Sequence, residues 1–203
     1  MSDAITMTNA VVLIADLQEG IIHVATTADP EALRRSAVAL VRAAILLEIP
    51  VIFSVVPTMG GVVSPLLDEL LEVMPGAIPI VRGNANPFAD PITCAAIAVT
   101  GRRSLVIAGV ATEIAVQLPA LAARKDGYDV SVLIDACSGL DPRSEDAALR
   151  RMAAHGVELS SVATFIAELA GDFTTELGRG AMTILGTIRP PAHSQAHGHD
   201  HAH

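Results

Sequence analysis

The stretch Ser104–Asp135, SLVIAGVATEIAVQLPALAARKDGYDVSVLID, contains the pattern that decides the fold. It begins and ends with short runs rich in valine, isoleucine and leucine, Ser104–Gly109 and Asp129–Asp135, and a helical stretch separates the two runs. Continuous apolar runs of this length are typical of strands that are covered on both faces. Two such strands joined through a helix form a parallel pair with a right-handed crossover. The stretch therefore predicts one unit of an α/β fold.

The same alternation of apolar runs and helical patterns continues over the rest of the chain. Three helices are marked by a capping residue followed by proline, a combination that favours the first turn of a helix. These starts are Asp29-Pro30, Ser64-Pro65 before Leu66–Met74, and Asp141-Pro142 before Glu145–His155. Four further apolar runs are predicted to be strands: Ala10–Ala15, Pro50–Val55, Ile78–Val81 and Val157–Val162. We therefore predict a Rossmann-like three-layer sandwich, with a six-stranded, mostly parallel sheet and helices on both faces.

The domain organisation follows from where this pattern stops. Residues 1–188 carry no internal repeat and no linker, and we expect them to form one domain. Residues 189–203 differ, because five of the seven histidines lie there: His193, His197, His199, His201 and His203. We interpret this segment as a flexible tail or a tag. The alternative is a site for a transition metal, which alternating histidines could bind, but neither interpretation implies a catalytic metal.

Composition limits the partners and the compartment. Among 203 residues, 51% are hydrophobic and the formal charge is -9, with four Phe, one Tyr and no Trp. An acidic chain with few aromatic residues is poorly suited to nucleic acid. Two cysteines cannot form a disulfide framework, and no basic segment precedes an apolar one at the N-terminus. No apolar run approaches the roughly twenty residues that span a bilayer, so we expect a cytoplasmic protein.

Candidate functional residues are those that follow the strands, because ligands of open parallel sheets bind beyond the carboxyl ends of the strands. Asp16 follows the first apolar run, Arg82 follows the third, and Gly109–Ala115 forms a tight turn after the fourth. The N–H groups of such a turn suit an oxyanion or a carboxylate. Asp16 could be an acid or base of a reaction, or only a helix cap. Arg82 could hold Asp16 ionised, or be a plain ion-pair partner.

The order of four motifs resembles one known family. The motifs are AVVLIADLQEG, IVRGNANPF, AGVATEIAVQLPALAARKDGYDV and VLIDACSG, and the similarity extends from about Asn9 to about Ala167. The chain is similar to the isochorismatase-like cysteine hydrolases, and most similar to their YcaC-like branch. The resemblance implies hydrolysis of a small amide or related C–N compound through a thioester, by a catalytic triad of Asp, Lys and Cys. It implies no cofactor.

The resemblance also implies roles for individual residues. Asp16 matches the general base, and Arg82 occupies the position of the lysine, where it keeps the charge but differs in shape. A cis peptide bond is implied between Val110 and Ala111, and the N–H groups of Ala111 and Ala115 would form an oxyanion hole.

Ala115 stands at the position of the family's nucleophilic cysteine, so the thioester route has no nucleophile here. Cys94 and Cys137 are not obvious substitutes, because small buried cysteines are the commoner outcome. Three interpretations stay open. In the first, alanine replaces an original cysteine and the enzyme is inactivated. In the second, Asp16 acts as an acid without a thiol, as in vinyl-ether cleavage by the isochorismatase branch. In the third, the chain binds a small molecule or serves as a subunit of an assembly, without catalysis.

Two further expectations concern the pocket and the assembly. We expect the substrate to contact generic residues, which could equally be core or loop residues: Phe53, Met59, Asn84, Asn86, Phe88 and Leu118. The Asp-x-His motif of metal-dependent relatives is not found between Ser54 and Arg82, so we predict no metal at the site. The apolar segment Ala181–Ile188 favours a homo-oligomer, unless it packs on its own subunit as a final strand or helix.

Overall fold

The computed structural model describes residues 5–189. A single sheet of six parallel strands forms its centre, in the order β3-β2-β1-β4-β5-β6. The strands are β1 (Ala10–Ala15), β2 (Val51–Val55), β3 (Ile80–Val81), β4 (Ser104–Val110), β5 (Asp129–Ser138) and β6 (Glu158–Ser160). This is the strand order of the dinucleotide-binding α/β folds, so the predicted Rossmann-like architecture is confirmed.

Helices cover both faces of this sheet. They are α1 (Pro30–Leu46), α2 (Asp68–Val73), α3 (Pro91–Val99), α4 (Gln117–Lys125), α5 (Pro142–Ala154), α6 (Val162–Ala170) and α7 (Glu176–Ile188). Alternate residues of β1 point to opposite faces: Val12 and Ile14 pack with α1, α2, α6 and α7, whereas Val11 and Leu13 pack with α3, α4 and α5. Because all six residues of β1 are fully buried, the strand reads as a continuous apolar run.

Two of the three predicted helix starts are confirmed. The Asp29 carboxylate accepts a hydrogen bond from the N–H of Ala32 (2.8 Å), and Asp141 accepts one from Arg143 (2.9 Å). The prediction for Ser64-Pro65 is wrong, because α2 begins only at Asp68. The hydroxyl of Ser64 accepts a hydrogen bond from the N–H of Gly20 (3.2 Å) instead of capping a helix. Tertiary contact to the segment after β1 thus replaces the local cap.

The ends of several strands differ from the predicted ones. β3 contains only two residues, and the side chain of Ile78, which was predicted to lie in it, is 88% exposed. β5 extends to Ser138, three residues beyond its predicted end, and its pairing with β4 shifts between Ile107 and Gly109. The longer β5 reaches the same edge of the sheet as the turn after β4.

The segment Ala181–Ile188 is the second half of α7 and packs on its own subunit. Ala181 is fully buried, and Ile184, Leu185 and Ile188 pack against the core that α1 and α6 share. The alternative considered from the sequence, a final helix that packs on its own subunit, therefore holds for these residues, while the side chain of Met182 is 50% exposed. The histidine-rich segment begins at residue 189, and its histidines lie outside the described residues. No helix within residues 5–189 is both long and apolar enough to cross a membrane.

Gly109 sets the distance between the two central strands. It lies opposite Ala15 in the ladder between β1 and β4, and its φ is +145°. A Cβ atom at this position would lie 2.1 Å from the carbonyl oxygen of Ala15. Glycine is required here both by the backbone conformation and by the approach of the neighbouring strand.

We expect Gly109→Ala to lower the free energy of unfolding by about 3 kcal/mol or more, because it adds a clash with backbone to an unfavourable φ. Gly186→Ala is the matched control: Gly186 lies in α7, and a Cβ there meets nothing within 4 Å. This control should stabilise the protein by about 0.5–1 kcal/mol through helix propensity. Urea denaturation measures both, and equal effects of the two substitutions would contradict the proposed close approach.

Candidate active site

Three segments meet at the carboxyl edge of the sheet, where the strand order reverses between β1 and β4. Asp16 directly follows β1, Ala111 directly follows β4, and Arg82 directly follows β3. In open α/β sheets this reversal opens a crevice in which ligands bind. Both residues of the predicted ion pair and the predicted oxyanion turn therefore lie at one edge.

Asp16 and Arg82 form a buried, bidentate ion pair. Nη1 of Arg82 donates to Oδ1 of Asp16 and Nη2 donates to Oδ2, both at 2.7 Å. Their exposed fractions are 5% for Asp16 and 2% for Arg82. The predicted contact between the two side chains is confirmed, whereas the alternative role of Asp16 as a helix cap is wrong, since no helix begins at residue 16 or 17.

Burial and charge act on Asp16 in opposite directions. Desolvation raises the pKa of its carboxyl group above the ordinary value, and the hydrogen bonds and charge of Arg82 oppose that rise without cancelling it. Each carboxylate oxygen accepts one bond from Arg82 and retains a further lone pair. Asp16 is therefore a group that can exchange a proton at this edge of the sheet.

The turn after β4 carries Ala115, the residue that the sequence resemblance predicts at the nucleophile position. The peptide bond between Val110 and Ala111 is cis, and Thr112–Val116 forms a π-helical turn that continues into α4. Ala115 lies within this turn and is 1% exposed. Its methyl group offers no nucleophilic atom. The roles of Ala111 and Ala115 in an oxyanion hole stay predictions.

Two carboxylates fasten this turn to the first turn of α5. Thr112 donates a hydrogen bond to Glu145 (2.7 Å). Glu113 accepts one from the hydroxyl of Ser144 (2.6 Å) and one from the N–H of Leu140 (3.0 Å). Our reading of the sequence missed these contacts, although Thr112-Glu113 lies in the quoted motif and Asp141-Pro142 marks the helix to which it attaches.

A second structural residue that the sequence reading missed is Gln18. Its side-chain oxygen accepts a hydrogen bond from the N–H of Val56 (3.0 Å), and its Nε2 donates to the carbonyl oxygens of Val56 (3.1 Å) and Ser64 (2.9 Å). The fully buried Gln18 thus holds both ends of the loop after β2 against the segment that carries Asp16.

The residues predicted to contact substrate lie in different surroundings, from the core to the surface. Phe53 is 3% exposed and belongs to the core, where it pairs in register with Ile14 of β1, so the core alternative holds for it. Phe88 is half-buried and meets Tyr128 edge to face, with 5.6 Å between the ring centroids.

The remaining predicted contacts lie nearer the surface. The Asn86 side chain accepts a hydrogen bond from the N–H of Phe88 (2.9 Å), so its oxygen caps a short 3-10 turn. Asn84 and Met59 are exposed, and Leu118 is half-buried in the first turn of α4. As substrate contacts, the remaining residues of the predicted set stay predictions: Met59, Asn84, Asn86, Phe88 and Leu118.

Neither cysteine lies in the turn that carries Ala115. Cys94 is half-buried in α3, and its thiol donates to the carbonyl oxygen of Phe88 (3.0 Å). Cys137 is buried in β5, and burial raises the pKa of its thiol to about 12. Burial also raises the pKa of Cys94. A raised pKa lowers the fraction of thiolate, the nucleophilic form, near neutral pH.

Comparison with known proteins agrees with this arrangement. Residues 10–164 match the model of the isochorismatase domain. The probable hydrolase YcaC of Escherichia coli K12 is 30% identical over 183 residues, covering 90% of this chain and 87% of the relative.

Solved structures of YcaC proteins are also similar to this chain. A structure of YcaC from Pseudomonas aeruginosa with hexane-2,5-diol and covalent acrylamide is 32% identical, with a TM-score of 0.86 and 94% of each chain covered. The Escherichia coli YcaC structure, described as an octameric hydrolase of unknown specificity, is 30% identical, with a TM-score of 0.85 and coverages of 92% and 91%. The chain therefore belongs to the isochorismatase family and is similar throughout its fold to the YcaC hydrolases.

Proposed function

We propose that the crevice between β1 and β4 binds a small amide or a related C–N compound, as in a hydrolase of this family. Asp16 is its acid–base group and Arg82 holds that group in place. The N–H groups of Ala111 and Ala115 donate hydrogen bonds to the developing oxyanion. The observation that carries the proposal is the buried, bidentate Asp16–Arg82 pair. Burying two charged groups has a large desolvation cost, and buried groups with shifted pKa values cluster at functional sites.

In this chain the covalent step is missing. A thiol at residue 115 would give its proton to Asp16 and attack the substrate carbonyl, and Asp16 would then return the proton to the leaving amine. Alanine has no atom that can form the thioester. We therefore infer that the chain with Ala115 binds its substrate without forming an acyl-enzyme.

The Pseudomonas relative supports the choice of substrate class. Its structure holds covalent acrylamide, which is an unsaturated amide. Acrylamide reacts with thiolates by addition to its double bond, so it detects an activated thiol. Because it also carries an amide group, the same reagent probes a pocket that binds amides.

We predict that Ala115→Cys creates a thiol that acrylamide alkylates at least about tenfold faster than Cys94 or Cys137 at neutral pH, because both of those thiols have raised pKa values. Mass spectrometry of the digested protein locates the adduct. The same variant should gain hydrolysis of some member of a panel of small amides, which the chain with Ala115 lacks.

The control for this experiment is Ala120→Cys, because Ala120 is also a buried alanine but lies in the middle of α4, away from the turn. It should react no faster than the two existing cysteines. Equal labelling at residues 115 and 120 would mean that the turn does not activate a nucleophile.

The raised pKa of Asp16 favours a second candidate function, in which its protonated carboxyl group acts as an acid without any thiol. Vinyl-ether cleavage, known from the isochorismatase branch, is a reaction of this type. The two candidates differ in the protonation state of Asp16 that they require.

The dependence of turnover on pH separates the two candidates. Burial raises the pKa of Asp16 above its unfolded value, so the proton is retained to a higher pH than in an exposed carboxyl group. An acid role predicts activity of the unmodified chain that is lost as pH rises through this pKa. A base role predicts activity of Ala115→Cys that appears as pH rises through it. Asp16→Asn should remove either activity, and turnover that survives Asp16→Asn would exclude both roles.

We also infer that the chain forms a homo-oligomer, since the Escherichia coli relative is described as octameric. Several large apolar side chains outside α7 are well exposed, among them Ile92 (64%) and Val99 (85%) on α3. Exposed apolar surface of this kind is commonly buried in subunit contacts.

Sedimentation velocity at micromolar concentration should therefore show a species heavier than one 21.0 kDa chain. Binding of small amides to such an assembly without turnover, in both the parent and Ala115→Cys, would favour the third interpretation, a binding or assembly protein. A monomer at this concentration would contradict the inferred oligomer.

A further inference from the structure

A row of buried polar side chains continues from Arg82 away from Asp16. Nη1 of Arg82 lies 3.3 Å from the hydroxyl of Ser54, and this hydroxyl lies 3.4 Å from that of Thr93. The Thr93 hydroxyl donates to Oδ2 of Asp90 (2.9 Å), and so does the Thr93 N–H (2.8 Å). Ser54 and Thr93 are fully buried and Asp90 is 8% exposed.

The inventory of protons fixes the direction of every hydrogen bond in this row. A guanidinium only donates, so Ser54 accepts from Arg82 and has its single proton left for Thr93. Thr93 accepts that proton and donates its own to Oδ2 of Asp90. The hydrogen bonds that lead from Nη1 of Arg82 through Ser54 and Thr93 therefore all run in one direction, towards Asp90, and both hydroxyl protons of the row are used.

The contacts of the Arg82 side chain are few. Nη2 bonds to Asp16, Nη1 bonds to Asp16 and Ser54, and the buried Nε has no hydrogen-bond partner among residues 5–189. Ser54 is therefore the second side chain that fixes the plane of the guanidinium. Thr93 in turn lies in the first turn of α3 and orients the Ser54 hydroxyl.

We propose that Ser54 and Thr93 are positioning residues that hold the Arg82 guanidinium in its bidentate contact with Asp16, by linking it to the second buried carboxylate, Asp90. They touch no substrate and act through Arg82. The catalytic meaning of this link rests on the proposed function of Asp16, but the link itself is testable without turnover. The charged groups of the row are Asp16, Arg82 and Asp90.

The test uses a pair of substitutions at Thr93. Thr93→Val keeps the shape of the side chain and removes the hydroxyl, whereas Thr93→Ser keeps the hydroxyl. The readout is the titration of the Asp16 carboxyl carbon, followed by NMR in the otherwise unmodified protein and assigned with Asp16→Asn. We expect Thr93→Val to shift the Asp16 midpoint upward by about half a pH unit or more, because a less ordered Arg82 favours the carboxylate less. Thr93→Ser should leave the midpoint unchanged.

Two further variants guard against a general loss of structure. Ser54→Ala should shift the Asp16 midpoint in the same direction as Thr93→Val. Ser104→Ala removes another buried serine hydroxyl, at the start of β4 and the opposite edge of the sheet, and should leave the midpoint unchanged. An unchanged midpoint in both folded Thr93→Val and folded Ser54→Ala would overturn the proposal, as would an equal shift in Ser104→Ala.

Alkylation in the Ala115→Cys background distinguishes this proposal from the proposed function. Acrylamide labelling of that thiol should slow several-fold when Thr93→Val is added and recover with Thr93→Ser. If Ala115→Cys neither labels nor hydrolyses amides while Thr93→Val still shifts the Asp16 titration, the positioning role stands and the proposed function fails. If Ala115→Cys is active and Thr93→Val changes neither the titration nor the labelling, only the positioning role fails.

Discussion

A carboxylate and a guanidinium that are removed from water must satisfy one another, and this requirement governs the carboxyl edge of the sheet. Burying the two charges costs several kcal/mol for each ion, which only a well-formed, fully bonded pair offsets. Asp16 and Arg82 meet this condition through two bonds of 2.7 Å. The backbone supports the same contact. The N–H of Asp16 donates to the carbonyl oxygen of Ser54, and the N–H of Arg82 donates to the carbonyl oxygen of Val55 (both 2.9 Å). β2 therefore positions both members of the pair, and the crevice beside β4 takes its form from that arrangement.

Features with a local cause could be predicted from the sequence. β1 is recognisable because it is buried on both faces, and α1 and α5 are recognisable because Asp29 and Asp141 cap their own helices. Ser64 carries the same local signal as these caps, but its hydroxyl bonds to Gly20, 44 residues away. The apolar half of α7 was ambiguous for a related reason, because periodicity alone does not tell whether a helix covers its own core or a neighbouring subunit. Distant partners decide both cases.

Some residues of the candidate site could likewise be predicted from the sequence, and others could not. Asp16 and Arg82 could be predicted as a pair because both follow parallel strands, and the resemblance to a family added the meaning of Ala115. Phe53 could not be assigned, because an aromatic residue near the end of a strand fits the core and the crevice equally well. Gln18, Thr112 and Glu113 were missed because their partners lie 27 to 46 residues away in the chain. Such contacts become visible only once the sheet order brings the segments together.

The position of β1 in the sheet has a consequence for how the protein is made. β1 is synthesised before β2 and β4, yet it lies between them in the sheet, and β4 begins only at Ser104. Until that residue has been synthesised, one edge of a wholly apolar strand has no neighbour and can pair with another chain. Parallel sheets built from such distant segments form slowly and expose apolar surface while they do so. The apolar strand Ala10–Ala15 therefore keeps one unpaired edge until Ser104–Val110 has been synthesised.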